Sequence, residues 1–101
     1  MKSKINILNG FRHFEDKNKY ELFCTLIEGV IAEGEIVEGE IFHKDKSIAE
    51  ITRIHKNKIV KHSYILTVIF NKSSNISIPE LIKLPFVYLH MAVLPPSSAR
   101  L

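Results

Sequence analysis

The residues of this chain that could do chemistry are five histidines, one cysteine and a run of closely spaced glutamates. His13, His43, His55, His62 and His90 invite a metal ion. None of them stands at the His-x-His or His-x₃-His spacing that sets two imidazoles on one side of an element, and the lone Cys24 adds little. His55 and His62 could meet across a hairpin, but histidines on basic strands are ordinary surface residues. Cys24 lies in the apolar run YELFCTLI with Glu21 nearby, whereas a nucleophilic thiol needs an electropositive, exposed setting. It reads as a reduced, buried thiol. Glu33, Glu35, Glu38 and Glu40 supply neighbouring carboxylates, yet acid–base catalysis requires environments that push two pKa values apart. This charged, turn-rich stretch reads as solvated, where acids protect an exposed edge. No Ser-His-Asp or Cys-His arrangement is legible. The expectation is a protein that is not an enzyme, with neither metal nor cofactor.

Binding is the better-supported class. From Tyr20 to Phe42 there are six glutamates and no Lys or Arg, and from His43 to Asn75 seven basic residues face two acids. The chain's net charge of +3 therefore hides an acidic and a basic segment, which either compensate each other or recruit partners of opposite sign. Arg53, His55, Lys56, Lys58, Lys61 and His62 cluster along one stretch with Tyr64 close by, a candidate nucleic-acid surface. The rival surface is PFVYLHMAVL at 85–94, apolar on both faces of a strand. A small domain has difficulty covering both faces, so Phe86, Tyr88, Met91 and Val93 are candidate contacts with a partner protein or a second copy.

The elements that must position these residues are mostly strands. At 101 residues the chain has one domain's worth of core. Its N-terminal apolar run ends after Leu8, too short for a signal-peptide core or a membrane span, so a cytoplasmic protein with no membrane partner is expected. Residues 20–27 and 59–70 are rich in aromatic and β-branched residues. Within 59–70, Val60, Tyr64, Leu66, Val68 and Phe70 fall on one face, with Lys61, Ser63 and Thr67 on the other. Asn57, tolerant of positive φ, suggests a turn joining 47–55 to 59–70. Pro79 and Pro85 bracket one helical turn near 79–84, 86–94 is a last strand, and 95–101 reads as a flexible tail after a single domain over 1–94. Six or seven short strands imply a β-barrel or a sandwich.

EGVIAEGEIVEGEIF, from Glu28 to Phe42, repeats every five residues. In a strand an odd period moves each Glu-Gly pair to the opposite face, so the glycines are expected to punctuate. Glu33-Gly34 would supply one turn and Glu38-Gly39 a second, with Val30 and Ile31 on the incoming strand. A pentapeptide-repeat β-helix needs many stacked copies, and three are too few.

Gly29 to Phe42 also fits the pattern G-x-[IV]-x-x-G-x-[IV]-x-x-G-[DE]-x-apolar, with glycines at Gly29, Gly34 and Gly39. It resembles the signature of the second domain of translational GTPases such as elongation factor Tu, a small β-barrel that follows the nucleotide-binding domain. Leu22–Ile27 enters the motif and Ala49–Ile54 leaves it in loose agreement, while residues 76–101 do not fit. The resemblance implies an all-β, six- or seven-stranded barrel without catalytic residues. In that family the barrel helps bind aminoacyl-tRNA or touches the ribosome. No G-x-x-x-x-G-K-[ST] occurs here, which excludes a GTPase in this chain. The function expected is a non-enzymatic module acting by protein–protein contact or self-association, the alternative being RNA binding through the 53–62 hairpin.

Overall fold

A computed structural model describes residues 2–14, 18–31, 36–73 and 76–93. Six strands form a closed, wholly antiparallel barrel: β1 (Lys2–His13), β2 (Lys19–Glu28), β3 (Ile36–His43), β4 (Lys46–Lys56), β5 (Ser63–Phe70) and β6 (Val87–Val93). Around the barrel the order is β1-β2-β5-β4-β3-β6, with β6 closing onto β1. Each strand therefore has a paired neighbour on both sides, although β1 beyond Ile5 and β4 beyond Glu50 are paired on one side only.

Alternation builds the interior. Ile5, Ile7, Leu22, Cys24, Ile41, Ile54, Leu66, Val68, Val87 and Leu89 all point inward and are essentially inaccessible. Both strand-to-strand crossovers must pass over a mouth of the barrel, because β2 and β3, like β5 and β6, lie on opposite sides of the ring. The crossover after β2 sends Ile31 into the core at one mouth, and the crossover after β5 sends Leu81 into it from the other. Leu81 belongs to α1 (Ile78–Lys83), the helical turn expected between the two prolines. Ser77 caps it: its hydroxyl accepts from the Glu80 backbone N–H, and the Glu80 carboxylate accepts from the Ser77 N–H. Asn6 ties the exit of the helix to β1 by donating to the Leu84 carbonyl at 3.1 Å.

Several expectations change. β1 is a strand beyond those the sequence reading draws: Ser3, Ile5 and Ile7 alternate inward along its first half, and register shifts against β2 disturb the pattern only beyond Ile7. β5 begins at Ser63 rather than at residue 59, so Val60 lies in a turn, half-exposed and off the core face. The positive φ of that turn belongs to His62, at 61°, and not to Asn57. Asn57 acts through its side chain, whose Oδ1 accepts from the N–H groups of Ile59 and Val60 at 2.9 and 3.4 Å.

The five-residue repeat resolves in two ways. Gly29 does break the chain, with φ of +97°, just after β2 ends at Glu28. A Cβ there would lie 2.9 Å from the Lys2 carbonyl oxygen and 3.0 Å from Ser3. Val30 and Ile31 consequently follow the break instead of extending the incoming strand. Gly39 is not a second turn: it lies inside continuous β3, in register with Met91 of β6. A register shift between Ile36 and Glu38 absorbs the odd residue. Gly34, the other expected turn, and the expected tail at 95–101 lie outside the described residues.

Candidate functional site

The β4–β5 hairpin forms as expected, in register from Ala49↔Phe70 to Lys56↔Tyr64. It exposes all six basic candidates but does not gather them on one face. Arg53 and His55 sit on the outer wall, opposite Thr67 and Ile65, with Glu21 of β2 the next residue along from Thr67. Lys56 ends β4, while Lys58, Lys61 and His62 occupy the turn. His55 and His62 are not cross-strand partners, since His55 faces Ile65. Among the described residues no three His, Cys, Asp or Glu side chains are grouped to hold a metal.

The tip of that hairpin presents something the charges had concealed. Ile59 is 93% and Val60 52% exposed, on a turn fixed by the Asn57 side chain and by Asn57 N–H donating to the Ser63 carbonyl at 2.9 Å. Leu26 N–H donates to the His62 carbonyl at 2.8 Å, which holds the turn against the end of β2. Ile27 and Val30, 52% and 63% exposed, lie at this same mouth of the barrel. The Ser3 hydroxyl donates to the Val30 carbonyl and fixes that loop as well. Four apolar side chains thus stand in solvent on braced backbone, with Lys56, Lys58 and Lys61 exposed beside them. The sequence signal is the Ile59-Val60 pair between lysines, which the β-branched composition of 59–70 places at the start of a strand.

The C-terminal strand has a different character from the one expected. β6 lies between β1 and β3, and Val87, Leu89 and Met91 enter the barrel core. Met91 is only 4% exposed and is part of this core, on the opposite face from Tyr88. Phe86 is exposed and Tyr88 half-buried on the outer wall, and Val93 pairs through its backbone with Ile36. The apolarity of both faces is therefore met within one domain: one face fills the core and the other carries aromatic rings under lysines. Lys2 Nζ lies 4.5 Å from the Tyr88 ring centre and Lys4 Nζ 4.5 Å from that of Phe86.

Cys24 is buried and free of any disulfide. Burial pushes its pKa up to about 12, a hydrogen bond with the Tyr64 backbone pulling the other way, so the thiol stays protonated and unreactive near neutral pH. Glu40 faces outward and accepts a hydrogen bond from Ser47 at 2.9 Å. Glu33 and Glu35 lie outside the described residues, as does the side chain of Glu38. No helix among the described residues is long and apolar enough to cross a membrane.

Comparison with protein-family models, with curated proteins and with solved structures gives no match. The structure shows a small barrel of six strands, and no relative ties it to the translational GTPases.

Proposed function

We propose that this domain is a binding module that works by protein–protein contact, docking through the mouth of the barrel where Ile59 and Val60 project. The observation that carries the reading is the 93% exposure of Ile59 on a turn whose backbone is held by side-chain and cross-strand hydrogen bonds. Burying an aliphatic side chain of this size is worth about 1.5–3 kcal/mol, so two anchors are enough to seed an interface. The lysines around them fit a partner whose apolar cleft has an acidic rim. The likeness to the second domain of translational GTPases enters here as part of the proposal. A barrel of that kind acts by being held against another component.

The test is affinity purification from native cells of the wild type beside Ile59→Asp/Val60→Asp, after nuclease and in high salt, with thermal melts to confirm equal folding. The expected result is a defined partner, or a second copy of the chain, retained by the wild type and lost by the variant. An unchanged set of bound proteins would overturn the reading. Material that leaves with nuclease or salt, and that depends on Lys58 and Lys61, would assign the hairpin to RNA instead.

A further inference from the structure

The outer wall on the other side of the barrel carries a separate set of side chains. The β1–β6–β3 registers place Lys4, Tyr88 and Phe42 in one cross-strand row and Lys2, His90 and Glu40 in the next. Phe86 and Tyr88 meet edge to face with ring centres 5.5 Å apart, and Phe42 and His90 lie 5.3 Å apart. Beside them is a shallow depression of about 330 Å³ lined by Lys2, Phe42, Lys44, Asp45, Tyr88 and His90. Lys44 also lines a larger groove of about 680 Å³, which passes His43 and Lys46 at the β3–β4 turn. A wall of half-exposed rings thus continues, through Lys44, into a groove that is basic on its β3–β4 side and carries Glu80 on its helix side.

We infer that this wall binds single-stranded nucleic acid, with bases stacked on Tyr88 and Phe42 and the phosphates met by Lys2, Lys44 and Lys46. Aromatic rings alternating with lysines match the two needs of an unpaired strand, a flat apolar face for each base and a cation for each phosphate. Three acids oppose this: Asp45 lines the depression, Glu80 lines the groove, where its carboxylate is engaged in capping the helix, and Glu28 already pairs with Lys4 at 3.6 Å. Lys4 is accordingly given no phosphate. Glu40 is engaged by the Ser47 hydroxyl, and the chain as a whole is basic, with a pI near 9.1. Lys2 rests over the Tyr88 ring, and its flexible stem lets it swing to a phosphate as a base takes its place. The inference is independent of the protein-contact reading, because Ile59 and Val60 project at the opposite mouth from the β3–β4 turn.

Fluorescence anisotropy with short labelled oligouridylate and oligothymidylate at low ionic strength tests it, using the full chain. Both single strands are expected to bind more tightly than a duplex of equal length, and any preference between them identifies the natural sugar. Tyr88→Ala with Phe42→Ala should weaken binding roughly tenfold or more. Lys2→Ala and Lys44→Ala should each lower the slope of log affinity against log salt by about 0.7. Tyr88→Leu keeps an apolar side chain on the wall without a stacking face, so it must also weaken binding if the alanine pair fails to fold. Ile59→Asp/Val60→Asp should leave oligonucleotide binding intact. No binding, equal affinity for duplex, or loss through Lys58→Ala and Lys61→Ala with the aromatic variants unaffected would each overturn the inference.

Discussion

Cys24 and Gly29 show how much single residues decide here. The thiol is enclosed by the barrel, and desolvation of the thiolate raises its pKa from an ordinary value near 9.0 to about 12. Below the lower value the thiol is protonated in both folded and unfolded chains, so its contribution is fully present. Between the two values the unfolded chain sheds the proton while the folded chain keeps it, so stability falls as pH rises, by about 1.4 kcal/mol per pH unit. Urea melts at increasing alkaline pH should show a steeper loss for the wild type than for Cys24→Ala. Parallel slopes would mean that the thiol is not shielded. At Gly29 the positive φ and the carbonyl of Lys2 both exclude a side chain. Gly29→Ala should cost about 1–3 kcal/mol or more in the same assay. The sequence reading carries the incoming strand past Gly29 to Ile31 and so misses this break, and Gly39 misleads because a bulge, like a turn, can absorb an odd period.

At the scale of elements, hairpins carry the exposed chemistry, and their turns explain what the sequence hid. β3 and β4 are joined by Lys44 and Asp45, with φ of 52° and 63°, the pattern of a type I′ turn. Such turns favour Asn-Gly, so a Lys-Asp pair gave no turn signal. Lys44→Asn with Asp45→Gly should raise stability by about 0.5–1 kcal/mol through relief of that backbone. The same variant should bind oligonucleotide more weakly, since Lys44 joins the ring-lined depression to the larger groove. No gain in melting temperature would contradict the turn assignment. The β4–β5 turn behaves likewise. Asn57 was recognised as a turn former, but its means is a side-chain oxygen bracing two N–H groups, with the left-handed residue at His62. That difference moved Ile59 and Val60 from an expected strand to an exposed tip.

For the whole molecule, closure is the organising fact. Strand-rich composition, the alternation of residues 64–70 and the helical turn between Pro79 and Pro85 were all readable locally. The side-by-side placement of β6 with β1 and β3 depends on long-range pairing that no local pattern encodes. Closure also reassigns the apolar C-terminal strand, since a ring of six strands gives Leu89 and Met91 an interior of their own. What remains outside is divided between two surfaces, an apolar tip with a basic rim at one mouth and a wall of rings and lysines leading to the other. The most direct test of the protein-contact reading is a photo-crosslinking amino acid placed at Ile59 and, as a control at an exposed apolar position on the barrel wall, at Leu8. Irradiation in native cells should give a discrete protein adduct from position 59 and none from position 8. Equal adducts from both positions, or none from position 59, would contradict docking through the tip.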